Sequence, residues 1–344
     1  MAPARTCVVL SFILSAASAV AAIATPLRMS SNAQKVAVIG TTGRLGRQAV
    51  LQLSKASVPV RCLIRRPIDP TAKPSIEKES SSAEVAAFLA GLPNVEMVRG
   101  DVTDKESLSE LLEGCSAVLA LHGAGPTGLK SLVPMLNPES DSRHAKQINY
   151  VGVKNIIEAA KNSGSCKRIV RVTGKGENPW SFFSILINML GSMAKAWNYE
   201  GEELLRQCKD VDYTIVRPGV MGRDNCPNGK VLAIADNGGD LPVSAVPHEQ
   251  IASLCIECLQ YPNAARSTLT AMNVEPGTGE ETYAPLLANV KPDTRDFPGS
   301  LLEEHKKAAR TGAAALFAIF IIFSQGCLLL GKKLVLGLLA ILNK

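Results

Sequence analysis

Three glycines follow a short apolar run near the start of the chain. The stretch from Lys35 to Arg47 is KVAVIGTTGRLGR, so Gly40, Gly43 and Gly46 come directly after an apolar strand pattern. A strand, a glycine-rich turn and a helix in this order let the backbone approach a pyrophosphate, which the helix N-terminus binds through its free N–H groups. The spacing therefore predicts a dinucleotide site at this turn.

Two arginines follow the next apolar run, Val60 to Ile64. A site for NAD usually adds an Asp or Glu about 20 residues after the glycines, but the first acidic residue of this chain is Asp69. Guanidinium groups can bind a 2′-phosphate through paired hydrogen bonds, whereas a carboxylate would repel it. Arg65 and Arg66, with Arg44 in the turn as a second candidate, therefore favour NADP(H) over NAD(H). The alternative interpretation of the pair is a solvated strand end.

Two cysteines and one histidine are further candidates for chemistry. Cys255 and Cys258 form a CxxC within HEQIASLCIECLQY, a helical pattern in which positions three apart share a face. They are interpreted either as core residues or as a regulatory dithiol. No metal is predicted, because the sequence has no second cysteine pair at zinc spacing. His144 is a candidate acid or base, or else an ordinary loop histidine.

Apolar runs that alternate with helical patterns between residues 35 and 300 would position these groups. Beyond the first motif, the predicted strands are Val60 to Ile64, Val95 to Val98, Ala117 to Leu121, Arg168 to Val172 and Tyr213 to Val216. Strands that alternate with helices indicate an α/β fold. We expect one NAD(P)-binding domain over residues 35–300, built on a Rossmann-like, doubly wound parallel sheet whose strand ends face the cofactor.

Residues 1–34 are interpreted as a targeting presequence that lies outside the fold. Arg5 precedes CVVLSFILSAASAVAAIA, an apolar stretch rich in small residues that is typical of a signal peptide. The basic, acid-free stretch that follows is similar to a transit peptide. This tandem of a signal peptide and a transit peptide predicts a location in a secondary plastid, which lies inside extra membranes. Nine cysteines without a paired framework favour such a reducing location over secretion. The alternative is an ordinary secretory signal that leads to a secretory-pathway membrane.

Residues 311–331 contain no charged residue and would reach about 31 Å as a helix, enough to cross a bilayer. They predict a transmembrane helix, followed by a short tail over residues 332–344; a buried terminal helix is the alternative.

The net charge of +6 arises largely at the two ends of the chain. Since no basic stripe interleaved with aromatic residues is present, nucleic acid is not an expected partner.

Five features together resemble those of the atypical short-chain dehydrogenase/reductases, in the NAD(P)H-binding, NmrA-like branch. They are GTTGRLGR, the RGDVTD of Arg99 to Asp104, the INYVGVKNIIEAAK of Ile148 to Lys161, the strand that leads into Thr173 and Gly174, and the DYTIVRPG of Asp212 to Gly219. The resemblance covers about residues 35–293. It implies pyrophosphate contacts at Gly40, Thr42, Gly43, Arg44, Leu45 and Gly46, 2′-phosphate contacts at Arg65, adenine contacts at Asp101 and Val102, ribose contacts at His122 and Gly123, and nicotinamide contacts at Pro218 and Gly219.

The catalytic residues of the wider superfamily are only partly matched. Typical members place a Ser and a Tyr-x-x-x-Lys after the fifth strand, because the Lys lowers the pKa of the tyrosine that passes the proton. Here Tyr150 and Lys154 have that spacing but precede the strand, so we interpret them as a coincidental match. The resemblance places Thr173 at the serine position. It leaves Tyr199 as the candidate acid, with Lys195 one helical turn before it.

Residues 180–197 are unusually apolar for the segment where this fold builds its substrate wall. They are interpreted as a second-layer core helix, a pocket for a lipophilic small molecule or a partner surface. Two functions follow from the whole pattern. One is a membrane-anchored NADP(H)-dependent oxidoreductase that reduces a lipophilic small molecule. The other is a non-catalytic NADP(H)-binding scaffold, redox sensor or assembly factor in a membrane-protein complex.

Overall fold

A computed structural model describes residues 34–132, 136–222 and 230–342, so the predicted presequence lies outside the described residues apart from Gln34. The chain divides into two compact units. The first contains the described residues up to 122, residues 155–174 and residues 205–296. The second contains residues 123–154, residues 175–204 and the described residues from 297 onward. The domain boundary expected at residue 300 falls within the second unit.

An eight-stranded sheet forms the centre of the first unit, in the order β3-β2-β1-β4-β5-β6-β10-β8. Its strands are β1 Lys35–Ile39, β2 Val60–Ile64, β3 Val95–Arg99, β4 Cys115–Ala120, β5 Arg168–Val172, β6 Asp212–Pro218, β8 Val231–Ala235 and β10 Ser267–Val274; β7 Val220–Met221 and β9 Ala245–Val246 form a separate pair. Neighbours in the large sheet are parallel, except that β8 pairs antiparallel with β10. The order reverses between β1 and β4, which is the doubly wound arrangement, and the predicted fold class is confirmed.

Helices of the first unit pack against its strands. In chain order the α-helices of the two units are α1 Arg44–Lys55, α2 Ser82–Ala90, α3 Lys105–Leu112, α4 Gly152–Ser163, α5 Phe182–Leu190, α6 Ala194–Gln207, α7 His248–Glu257, α8 Tyr283–Ala288 and α9 Leu302–Leu342. Val36 to Ile39 are all buried, as expected of a strand in a sheet covered on both faces. Helices α1 and α7 lie side by side, where Gln52 Nε2 donates to the Glu249 carbonyl over 3.1 Å.

The second unit contains α5, most of α6, and α9. Helix α9 is 41 residues long and packs against α5. Among the described residues, the segment Leu302–Gln325 of α9 is the one helix long and apolar enough to cross a membrane. The predicted span over residues 311–331 lies within this continuous helix, which extends beyond it to Leu342.

Candidate functional site

Two glycines of the turn after β1, Gly40 and Gly46, could not carry a side chain without a clash. Gly40 has a φ of +86°, and a Cβ on it would lie 2.8 Å from the backbone nitrogen of His122. The Leu121 amide donates to the Ile39 carbonyl over 3.0 Å, which holds the ends of β1 and β4 together. Gly40 therefore allows the two strand ends to meet where the sheet order reverses.

Helix α1 begins at this turn without a capping side chain. Its N-cap, Gly43, makes no side-chain cap hydrogen bond, and its first turn contains no acidic residue. The first N–H groups of a helix have no partner within it, so those of Arg44, Leu45 and Gly46 suit an anionic ligand. A Cβ on Gly46 would lie 2.1 Å from the Gly40 carbonyl oxygen. This geometry is compatible with the predicted pyrophosphate cradle, and the phosphate contacts themselves stay predictions.

Three exposed arginines surround this end of the sheet. Arg65 and Arg66 directly follow β2, the parallel neighbour of β1, and Arg44 opens α1. Among the described residues, no carboxylate forms an ion pair with any of the three. The next acid, Asp69, instead accepts hydrogen bonds from the backbone and hydroxyl of Thr71, which lower the pKa of its carboxyl group. The guanidinium groups thus remain available to a phosphate.

Buried side chains that sequence reasoning missed hold the surrounding loops. Thr41 Oγ1 donates to the Leu63 carbonyl over 2.9 Å and joins the glycine turn to β2. Arg47 is buried and donates to the carbonyls of Ile76, Glu77 and Lys78, so it ties the loop after Arg66 to α1. The sequence signal for Arg47 was its place on the buried face of the helix, where a cation needs polar partners.

Asp101 and Val102 lie just beyond β3, where they were expected to flank an adenine. Asp101 Oδ1 accepts from the backbone and hydroxyl of Thr103, over 2.9 and 2.8 Å. Val102 is buried, and its carbonyl accepts from Asn155 Nδ2 over 3.1 Å. These bonds hold the loop in one conformation. The adenine contacts themselves stay predictions.

His122 and Gly123 follow β4. The His122 carbonyl accepts from Arg171, a fully buried residue of β5 that also donates to the Ala120 carbonyl over 3.0 Å. Arg171 thus fixes the end of β4, a role that sequence reasoning did not assign to it. Gly123 has open space where a Cβ would lie. The ribose contact predicted for Gly123 would be made by its backbone.

Pro218 and Gly219 end β6 and lead into β7. A Cβ on Gly219 would lie 2.1 Å from the Ser244 carbonyl oxygen, and its amide donates to the Ala271 carbonyl over 3.0 Å. Thr173, at the end of β5, donates its N–H to the Val216 carbonyl over 3.0 Å and is partly exposed. The parallel strands place these residues at the same edge as Gly40, which is compatible with their predicted roles.

The candidate acid lies in the second unit. Tyr199 is fully buried, and its hydroxyl donates to the carbonyl of Pro298. Lys195, one turn earlier, donates its backbone N–H to Asn188 Oδ1 over 3.0 Å. The ring of Tyr150, in the coincidental match, packs against Trp197 at 5.6 Å between centroids. A catalytic role for Tyr199, Lys195 or Thr173 stays a prediction.

The remaining candidates are enclosed. His144 is buried, and its Nδ1 accepts from the Lys146 N–H over 3.0 Å; burial lowers the pKa of His144 below its usual value. Cys255 on α7 and Cys258, which directly follows that helix, are fully buried, and burial raises the pKa of Cys258 to about 12. Buried thiols of high pKa are poor nucleophiles. The geometry of these two cysteines is that of core residues.

Comparison with known proteins agrees with this geometry. Protein TIC 62, chloroplastic, of Arabidopsis thaliana is 27% identical over 208 residues, which are 60% of this chain but 30% of that protein. Photosystem II assembly factor Ycf39 of Trieres chinensis is 26% identical over 236 residues, 67% of this chain and 61% of that protein. The chain thus spans less than two thirds of either relative.

A solved short-chain dehydrogenase/reductase from Veillonella parvula, in complex with NADP, superimposes with a TM-score of 0.50 at 13% identity. The match covers 72% of this chain and 98% of that one, and it shows the shared fold. The sequence profile of a family described as NAD(P)H-binding matches residues 40–262, well over half of the chain. The chain therefore belongs to the NAD(P)H-binding, NmrA-like family of atypical short-chain dehydrogenase/reductases.

Proposed function

We propose that this chain is an NADP(H)-binding assembly factor or scaffold, tethered to a plastid membrane by α9, which binds its cofactor without using Tyr199 as an acid. The observation that carries the proposal is the state of Tyr199, whose buried hydroxyl is already committed to the Pro298 carbonyl. A proton donor must reach its substrate within hydrogen-bond distance. The relative Ycf39, named for photosystem II assembly, supports the same class of function.

The preference for NADP(H) rests on Arg44, Arg65 and Arg66, which are exposed beside the pyrophosphate cradle. A bound nicotinamide would supply hydride transfer, the chemistry common to such cofactors. The residues of this chain hold the phosphates through the α1 N-terminus and the guanidinium groups. Binding therefore needs no catalytic side chain.

The membrane tether rests on α9. Seven large apolar side chains between residues 316 and 323 are exposed, and they follow one another around every side of the helix: Leu316, Phe317, Ile319, Phe320, Ile321, Ile322 and Phe323. A helix that is apolar on every side belongs in a core or a bilayer. Location in a plastid is supported by the relative TIC 62, which is described as chloroplastic.

The test is to compare Gly43→Val with Tyr199→Phe in the full chain, purified in detergent. A Cβ on Gly43 would lie 3.2 Å from the Gly40 carbonyl, so the turn can adapt while the larger side chain enters the phosphate space. We expect Gly43→Val to abolish NADPH binding and NADPH-dependent co-purification of a membrane complex. Tyr199→Phe should retain both.

Thermal unfolding of both variants serves as the control for folding. The competing function, reduction of a lipophilic small molecule, predicts a different result. If Tyr199 is the acid, Tyr199→Phe should slow NADPH oxidation with an added quinone or tetrapyrrole by about 10²–10⁴-fold at unchanged NADPH affinity. That outcome would overturn the scaffold proposal.

A further inference from the structure

Helix α5 buries two polar side chains while large apolar side chains on it and just before it are exposed. Ser184 and Asn188 are buried within the second unit, together with Met189. The exposed residues, called here the apolar face of α5, are Phe182 (72% exposed), Phe183 (59%) and Ile187 (42%), with Trp180 (48%), which lies two residues before the helix. A helix that borders water has the opposite arrangement, with its apolar stripe toward the protein. The apolar face of α5 therefore suits a non-aqueous surrounding.

Interior hydrogen bonds fix this orientation. Asn188 Oδ1 accepts the backbone N–H groups of Lys195 and Ala196 over 3.0 and 3.1 Å, and Asn188 Nδ2 lies 2.9 Å from His305 Nδ1. His305 Nε2 lies 2.8 Å from the Gly176 carbonyl oxygen. Turning α5 to hide its aromatic residues would leave these buried groups without partners, which is costly. The hydrogen bonds inside the second unit therefore keep these aromatic side chains exposed.

Helix α9 packs against α5 through the residues just before its exposed apolar stretch. Asn188 meets His305, and Ile185 and Met189 both meet Gly312, where a Cβ would lie only 2.3 Å from Ile185 Cγ2 and 3.1 Å from Met189 Sδ. Helix α5 therefore lies beside residues 305–312 of α9.

The chemistry of α9 changes along this contact. Lys307 and Arg310 are exposed five and two residues before Gly312, whereas Leu316 and Phe317 are exposed four and five residues after it. Basic residues that precede an apolar helix lie at lipid headgroups, and the apolar residues lie among acyl chains. Helix α5, which packs on residues 305–312, therefore lies where headgroups meet acyl chains.

We propose that the apolar face of α5 is inserted into the interfacial layer of the same bilayer that α9 crosses. This rests on the membrane tether proposed above and adds a second contact, with lipid as the occupant. Aromatic side chains favour this layer because it accepts an apolar ring beside polar headgroups. Two contacts, one spanning and one interfacial, fix the orientation of the second unit against the membrane.

Trp180 is a natural reporter, because the chain has two tryptophans and Trp197 is buried. The full chain with Trp197→Phe is reconstituted into vesicles of phosphatidylcholine and phosphatidylglycerol whose acyl chains are brominated near the headgroup. We expect Trp180 to lose most of its fluorescence relative to unbrominated vesicles. The reciprocal variant, Trp180→Phe, should keep most of its Trp197 fluorescence.

Two double variants test the face itself, each in the Trp197→Phe background. Phe182→Ser with Phe183→Ser should restore much of the Trp180 fluorescence in brominated vesicles. Val220→Ser with Val243→Ser removes side chains that are 59% and 72% exposed in the first unit, and it should leave the quenching unchanged. Flotation of the same vesicles reports on the tether separately.

The possible failures are distinguishable. A chain that floats with vesicles while Trp180 stays unquenched overturns the interfacial inference alone and assigns the apolar face of α5 to a protein partner. A chain that does not float overturns the tether, and the inference with it.

Discussion

Two arginines are predicted to decide which dinucleotide the cradle prefers. Arg65 and Arg66 are exposed at the end of β2, next to the strand that leads into the glycine turn. Replacing both by Ala should remove most of the preference for NADPH over NADH. The loss of a phosphate contact to a charged group should cost about 1.5–3 kcal/mol, or roughly tenfold to a hundredfold in affinity.

Isothermal titration of both cofactors measures this change. Arg143→Ala, which removes an exposed guanidinium from the second unit, should leave both affinities unchanged. Equal affinity of the unmodified protein for NADPH and NADH would refute the assignment of the 2′-phosphate to these arginines.

His144 should make stability depend on pH. Burial lowers the pKa of folded His144, and its Nδ1 already accepts the Lys146 N–H. The unfolded chain therefore takes up this proton at a higher pH than the folded one. The free energy of unfolding should fall as the pH drops below about 6.5 and should be insensitive to His144 above it.

Urea unfolding of the full chain in detergent, between about pH 5 and about pH 8, measures the effect. His144→Gln keeps an acceptor for the Lys146 N–H and should flatten this part of the profile. Identical profiles for the two proteins would show that His144 does not contribute.

Individual residues also show how far sequence alone can lead. The glycines were predicted because the backbone geometry of a phosphate turn requires them at that spacing. Arg171 was not, because its partners are carbonyls of β4, about 50 residues earlier in the chain. A buried arginine in the middle of a strand signals such partners, but it does not say which ones they are.

At the scale of elements, strands β1 to β6 were predictable and the last part of the sheet was not. β2 and β5 have the predicted bounds, and the others shift by one or two residues at either end. β10 was missed because Ser267, Thr268 and Thr270 interrupt its apolar pattern although all three are buried. Asp293 accepts from both the N–H and the hydroxyl of Thr268, so a partner 25 residues away makes a polar strand stable in the core.

The packing of α5 on α9 depends on the smallness of Gly312. Gly312→Val would place side-chain atoms within Ile185 and Met189, since a Cβ alone would be 2.3 Å from Ile185 Cγ2. We expect a loss of about 1–3 kcal/mol in the free energy of unfolding, the usual cost of overpacking. Denaturant unfolding of the full chain in detergent measures it.

Ala315→Val is the matched control, because Ala315 is exposed on the same helix. It should change the stability by much less. A similar loss in both variants would mean that the valine, and not the helix contact, is responsible.

At the scale of the whole molecule, the exposed apolar stretch of α9 should decide where the chain is found. In the double variant Phe320→Lys with Ile322→Lys, each lysine should raise the free energy of insertion into the bilayer by about 2.5–3.5 kcal/mol. We expect the full chain to resist extraction from membranes by carbonate and this double variant to be released. Val243→Lys, an equally drastic change in the first unit, should remain bound. Release of the unmodified chain would contradict the tether.

The length of α9 has a consequence for sidedness. Its 41 residues extend for roughly 62 Å, about twice the thickness of the hydrocarbon core. With its apolar stretch in a bilayer, a helix of this length can reach the opposite leaflet while the sheet stays on the side where α9 begins. The sheet would then respond to the nicotinamide pool of that side alone.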